Sequence, residues 1–304
     1  MTKLLNIIKS ETLDPPTRVQ DVLTRIQLRH SDRVEAIIYY GSSMRELDNP
    51  EKMLDFYVLV DSYRKTHGFR PRALINRLLP PAVYYLEQSD KTGLISTCKY
   101  SIITLKEFEK RCSKRTFLSQ VWGRFSQPCS VLWTKDKMAL SRVWNARVEA
   151  VKTMASETAP LFNGQVSATQ FWGRGFFESY RTELRPESST TRSEEIVLRY
   201  QERYETIMGA LYGEANRSGN FDLPNKNLNF AEFRWFMRRI LGKPANALRV
   251  LFTAATFDGG LDYIARKVEN HSGVKLEPTE LQRRHPVLFS PILFFKLWKK
   301  GAFR

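Results

Sequence analysis

Two periods of apolar and polar positions divide this chain. In its first part the apolar residues come in short runs bounded by glycine, proline and polar stretches, the pattern of buried strands. VEAIIYY at 34–40 stops at Gly41, and MLDFYVLVD at 53–61 follows the polar stretch GSSMRELDNPEK. AVYYLE at 82–87, LISTCKYSII at 94–103 and CSVLWT at 129–134 predict three more strands. Val19, Val22, Leu23, Ile26 and Leu28 lie at helical spacing within 17–30, and RALINRLL, bracketed by Pro71, Pro80 and Pro81, predicts a short helix. From 137 the period lengthens. KMALSRVWNARVEAVKTMASETA, SEEIVLRYQERYETIMGALYG, NFAEFRWFMRRILG and DGGLDYIARKVENHSG carry apolar residues three and four apart, which predicts amphipathic helices. Residues 185–193 and 213–228 read as loops. The expected class is an α/β domain over 1–136, then a mostly helical domain over 137–280 and a tail over 281–304.

Composition narrows the field. With 304 residues, 42% of them hydrophobic, the chain can bury a core, and no apolar run approaches a membrane span. Mean hydropathy is −0.40. An integral helical membrane protein, a disordered chain and a disulfide scaffold are excluded. The net charge of +16 calls for a polyanionic partner: nucleic acid, nucleotide or an anionic lipid surface. Cys98, Cys112 and Cys129 have no zinc spacing and suit a reducing compartment. MTKLLNIIKS, with Glu11 and Asp14 after it, lacks the apolar core of a signal peptide, so a bacterial cytoplasmic location is expected.

Candidate chemistry concentrates between Tyr40 and Asp61. A strand ends in Gly41-Ser42-Ser43, and eleven residues separate Ser43 from Asp55 at the start of the next strand. This is the spacing of the nucleotidyltransferase fold of the polymerase-β type. There a glycine lets backbone approach a triphosphate, and N–H and hydroxyl donors hold its phosphates. A carboxylate on the neighbouring strand, here Asp55, binds Mg²⁺. That fold normally sets a second acid two residues on, where this chain has Tyr57. Asp61 lies about 20 Å further along an extended strand, too far to share the ion.

Several separated segments resemble the mitochondrial-type phosphatidate cytidylyltransferases, the translocator assembly and maintenance proteins, and their bacterial relatives. Tyr40-Gly41-Ser42 is similar to the family's Tyr-Gly-Ser-Gly, and Met53-Leu54-Asp55-Phe56 to its metal-binding strand, which also lacks the adjacent second acid. His67 and Ala82-Val83-Tyr84-Tyr85 follow in the family's order. Lys99-Tyr100-Ser101-Ile102-Ile103 resembles Lys-Tyr-Gly-Val-Ile, and Gly123-Arg124-Phe125-Ser126-Gln127-Pro128 resembles Gly-Arg-Leu-x-Lys-Pro. Ser179-Tyr180-Arg181-Thr182-Glu183-Leu184-Arg185 is similar to Ser-Tyr-x-Gly-Asp-x-Arg. The block Phe252–Tyr263, with His271-Ser272-Gly273, resembles the bacterial C-terminal block. The chain departs from the family at Ser43, Ser101, Gln127 and Thr182-Glu183.

The resemblance implies a nucleotidyltransferase domain, a winged-helix-like helical domain, and synthesis of CDP-diacylglycerol from CTP and phosphatidate with Mg²⁺. Asp55 is expected to hold the metal. The Gly41-Ser42-Ser43 loop, Lys99 and Arg124 are expected to hold phosphates, with Glu183 a candidate second carboxylate beside Arg185. The aromatics of 171–180 read as core. Residues 281–304 carry six Lys or Arg and no acid around PVLFSPILFFKLW, which suits the membrane interface, with Pro286 and Pro291 confining any helix to 291–300. That places the protein on the inner face of the cytoplasmic membrane, with no nucleic-acid partner. Two other readings share parts of this evidence. One is a nucleotidyltransferase acting on RNA, protein or a small molecule; the other is a non-catalytic nucleic-acid binder.

Overall fold

The computed structural model describes residues 2–47, 49, 52–67, 70–89, 95–183, 189–224, 228–254, 265, 268–269, 272–284 and 286–299. They form two compact units, and the chain passes between them several times. The α/β unit comprises 12–108, 128–143 and 247–304, and the helical unit comprises 1–11, 109–127 and 144–246. The sequence pattern suggested a single boundary near 136. The helical unit also takes segments from both sides of the sheet-forming stretch.

In the α/β unit, helix α2 (Thr17–His30) leads into strands β1 (Val34–Tyr40) and β2 (Leu54–Val60). Helices α3 (Tyr63–His67) and α4 (Arg70–Leu78) follow, then β3 (Ala82–Ser89), β4 (Ile95–Thr104) and, after an excursion, β5 (Ser130–Thr134). The sheet order is β3-β4-β2-β1-β5, with β2 and β4 parallel and the other pairs antiparallel. β1 and β2 are central and buried on both faces, which is why their sequences are almost continuous apolar runs. Val19, Val22, Leu23 and Ile26 of α2 pack on Phe56, Val58, Tyr100 and Ile102. Leu28, expected on that apolar face, is exposed. The alternation of β2 sends Asp55 and Tyr57 to the opposite face from Phe56 and Val58.

Towards the C-terminus of this unit a short helix spans Glu280–Arg284, and a longer one, Pro286–Lys299, contributes to a small separate cluster. Leu293 and Leu297 are buried there with Ala265 and Leu276, while Ile292 and Phe295 remain exposed. The tail therefore contributes to a core of its own as well as presenting an apolar side. Its helix begins at Pro286 rather than near 291, because proline is well suited to a first helical position. Of the predicted stretch 258–273, most residues, like most of the C-terminal block, lie outside the described residues.

The helical unit contains α1 (Thr2–Ser10), α6 (Gln120–Phe125) and parts of α5 (Leu105–Cys112) and α7 (Lys137–Thr158), both shared with the other unit. It continues with the two-stranded ribbon of β6 (Gln165–Ser167) and β7 (Asn220–Asp222), with α8 (Ala168–Arg181), α9 (Ser189–Arg199) and α10 (Gln201–Tyr212), and with α11 (Leu228–Ala254) as far as 246. A capping box of Ser167 and Gln170 starts α8. Phe171, Trp172, Phe176 and Tyr180 of α8 are buried, as the sequence suggested, and Trp172 and Phe176 pack on Tyr204. Residues 189–193 of one predicted loop are helical. Three buried or nearly buried carboxylates knit the unit. Glu11 pairs with Arg147 and with Arg203 at 2.6 Å. Glu157 meets Arg234 at 2.8 Å and Arg238 at 2.7 Å. Glu178 meets Arg239 at 2.6 Å, Arg174 at 3.1 Å and Arg181 at 3.7 Å. The Arg238 guanidinium also lies among Phe117, Trp122 and Trp235.

Candidate active site

The end of β1 and the start of β2 bring the loop and the acid together. Gly41 has φ +90°, and a Cβ there would lie 2.8 Å from Asp55 Oδ2. Both facts demand glycine: the backbone is left-handed, and a side chain would collide with the carboxylate. The positive φ falls on Gly41; Ser43 adopts none. Ser42 and Ser43 carbonyls accept from the N–H groups of Arg45 and Glu46, closing overlapping turns. Ser42 is partly exposed, whereas Ser43 is fully buried with its hydroxyl beside that of Tyr39. Burial raises the Tyr39 phenol above its ordinary pKa, so it is neutral there.

Strand register extends this pair into a row. Tyr40 faces Asp55 across β1 and β2, Asp55 faces Lys99 across β2 and β4, and Lys99 faces Tyr85 across β4 and β3. Lys99 Nζ lies 3.0 Å from Asp55 Oδ1, and both side chains are partly open to solvent, 27% and 18% exposed. Lys99, expected to contact phosphate, is thus found neutralising the acid. Tyr40 and Tyr85 entered the sequence reading only as members of motifs, without a role; the strand pairing aligns them with Asp55 and Lys99.

Asp55 is the carboxylate this row offers. Tyr57, two residues on, is buried with its ring 5.3 Å from that of Tyr40. Asp61 is held by Arg33 at 3.9 Å and Lys65 at 3.7 Å. Among the described residues no group of three His, Cys, Asp or Glu could hold a metal by itself. That donor set still fits Mg²⁺, which keeps several waters and is commonly bound by one or two carboxylates together with substrate phosphates. It does not fit zinc, and the three cysteines are buried thiols. Burial, reinforced by the nearby Asp55 charge, keeps the Cys98 thiol protonated.

The remaining predicted residues belong to the helical unit, where two motifs that start 56 residues apart, at Gly123 and Ser179, pack on each other. Gly123 of α6 sits against Ser179 of α8 so closely that a Cβ would overlap its hydroxyl. Ser119 and Thr182 hydroxyls are 2.9 Å apart, and Tyr180 donates to Gln127 at 3.2 Å. Arg124 Nη2 lies 3.6 Å from Glu183 Oε2. Arg124 and Glu183, given separate roles from sequence, are therefore partners here. Glu183 also lines a small cavity with Gln120, Thr182 and Asn246. Arg185 lies outside the described residues.

His67 is a buttress. Asn76 Nδ2 donates to its Nε2 at 2.8 Å, and Tyr84 OH lies 2.7 Å from Nδ1. Asn76 Oδ1 accepts from the Ala82 N–H, fixing the amide and hence the Nδ1–H tautomer of His67. Beside it, His30 lies 3.2 Å from Tyr100 OH; burial first, then Arg29 and His67, pushes its pKa down to about 4.

Comparison with known protein families finds no matching model, and comparison with curated proteins finds no significant match. The assignment to a class rests on the molecule itself: a five-stranded mixed α/β sheet accompanied by a largely helical C-terminal part.

Proposed function

We propose that this protein has the nucleotidyltransferase fold and is a CDP-diacylglycerol synthase of the translocator assembly and maintenance type. The observation that carries the reading is Gly41, at positive φ and in contact distance of Asp55, on adjoining strands with Lys99 opposite. A loop without a side chain at its closest point is what a triphosphate needs in order to approach backbone donors. The sequence resemblance then supplies the substrates, CTP and phosphatidate.

Asp55 would hold Mg²⁺, whose chemistry when bound is to neutralise charge on the phosphates. The chain's own residues position the rest. The Gly41-Ser42-Ser43 loop presents N–H and hydroxyl donors to the triphosphate. Lys99, beside Asp55, would offer its ammonium to the phosphates. Arg124 offers a planar fork to a phosphate, with Glu183 holding that fork in orientation. A phosphate oxygen of phosphatidate attacks the α-phosphorus of CTP. A new P–O bond forms, the bond from that phosphorus to its bridging oxygen breaks, and pyrophosphate leaves with the electron pair. The nucleophile is already ionised near neutral pH, so no strong base is needed. Catalysis rests on alignment and charge neutralisation. No helix among the described residues is long and apolar enough to cross a membrane. In this reading the lipid is met at the bilayer surface, on the cytoplasmic side expected from the sequence.

The test is labelled CTP with phosphatidate vesicles and Mg²⁺, scored for a lipid-soluble labelled product. Label appearing in an RNA, protein or small-molecule acceptor instead would assign the other nucleotidyltransferase reading, and salt-sensitive nucleic-acid binding without turnover would reject both.

A further inference from the structure

We infer that the exposed side of α11 is a surface by which this protein lies on an anionic lipid membrane. The inference rests on the proposed use of a lipid substrate only for its biological setting; the docking itself requires no turnover.

The helix is seated by one narrow side. Ala231, Trp235, Arg238 and Gly242 are buried, and a Cβ on Gly242 would lie 2.6 Å from the Thr182 carbonyl oxygen. Trp235 Nε1 donates to the Glu157 carbonyl at 3.0 Å, and Arg238 is locked between Glu157 and its aromatic neighbours. These contacts prevent the helix from rolling. Its opposite side consequently stays outward, and that side is apolar: Phe233, Phe236, Ile240 and Leu241 are each about half exposed, at 57%, 50%, 48% and 50%. Large apolar residues three to four apart on the outward side of a firmly anchored helix form a contiguous patch, which monomeric soluble proteins seldom display.

Charge selects the occupant. Arg234, paired with Glu157, borders the stripe on one side, and Arg239 and Lys243, with the single acid Glu232 between them around the helix, border it on the other. Through Glu178, Arg239 is joined to Arg174 and Arg181, so three guanidiniums share one buried carboxylate. Arg174 and Arg181 keep 43% exposure. A second copy of the chain meeting this patch about a two-fold axis would bring this cationic rim against itself. An anionic bilayer surface offers acyl chains to the stripe and head groups to the rim.

The test uses the full chain and vesicles of phosphatidylcholine with or without phosphatidylglycerol, in the absence of CTP and phosphatidate. The double substitutions Phe233→Ser/Phe236→Ser and Ile240→Ser/Leu241→Ser are each expected to lower vesicle partitioning about tenfold or more, with the melting temperature unchanged. Arg174→Gln/Arg181→Gln should abolish the preference for phosphatidylglycerol vesicles. Two folded double variants that bind vesicles like the parent would overturn the inference. So would a parent dimer that either pair converts to monomer without loss of vesicle binding, which would assign the stripe to a second copy. Vesicle binding by a parent without transferase activity would leave this inference standing and remove the enzymatic one. Turnover of a short-chain phosphatidate by a parent that ignores anionic vesicles would do the reverse.

Discussion

The two units handle charge in opposite ways. In the α/β unit Asp55 pairs with Lys99 at a solvent-accessible strand end, where register sets them side by side. In the helical unit Glu11, Glu157 and Glu178 pair inside the fold, with arginines that arrive from distant segments. Exposed pairs are cheap to separate, and buried pairs are costly once one partner is gone. The Asp55–Lys99 pair can thus be opened by a ligand, whereas the Glu11 cage serves to hold helices together.

The strongest break of this comparison is Asp55→Asn. It should reduce the proposed cytidylyl transfer by three orders of magnitude or more, about 4 kcal/mol of transition-state stabilisation, while the melting curve hardly moves. Substantial turnover in the folded variant would end the metal role. Next comes Glu11→Gln, which leaves Arg147, 1% exposed, without its charge partner. Chemical denaturation should register a loss of about 3–5 kcal/mol. A loss below about 1 kcal/mol would show that the pair is no more than a surface contact.

A smaller effect separates the units by pH. His30 in the α/β unit has its folded pKa lowered to about 4, so between there and its unfolded value near 6.5 the unfolded chain binds the extra proton. Stability from this group is present above pH about 6.5 and is lost progressively as pH falls towards 4, by at most about 3 kcal/mol. Unfolding free energies at pH 5 and 7.5 should differ less in His30→Gln than in the parent. Glu11 and Glu157, both held below the ordinary carboxylate range, lose their contribution only at more acid pH. The smallest expected effect is at Ser42. Ser42→Ala should weaken CTP several-fold, about 1 kcal/mol, and leave the apparent affinity for phosphatidate unchanged. Equal changes for both substrates would detach the loop from the nucleotide.

What could be read from sequence follows the same division. Strand β1 and helix α2 span the residues their patterns indicate, 34–40 and 17–30, because burial of one or both faces imposes a simple period. Gly41, Asp55 and Lys99 were legible as candidates, since a loop and two strand positions are local features. The pairing of Lys99 with Asp55 was not, because it depends on β2 and β4 running parallel. The stretch 193–213 reads as one helix, yet Tyr200, at φ −122° and ψ 35°, breaks it into α9 and α10. Strands β6 and β7 are three residues each, too short to show alternation. The Arg124–Glu183 contact joins residues far apart in the chain through the glycine-mediated approach of α6 to α8, which neither motif announces alone.

The Glu11 cage also sets a schedule for synthesis. Its two arginines lie 136 and 192 residues further along the chain. At about 5–20 residues per second, a ribosome reaches Arg203 roughly 10–40 seconds after Glu11. During that interval every strand of the sheet has been made, while α1 still waits for α10. Helix α1, made before the sheet strands, is therefore fixed after them, and a nascent chain stalled before Arg203 would lack one of the two arginines that hold Glu11, next to the helix that buries Leu4 and Ile8 in the finished protein.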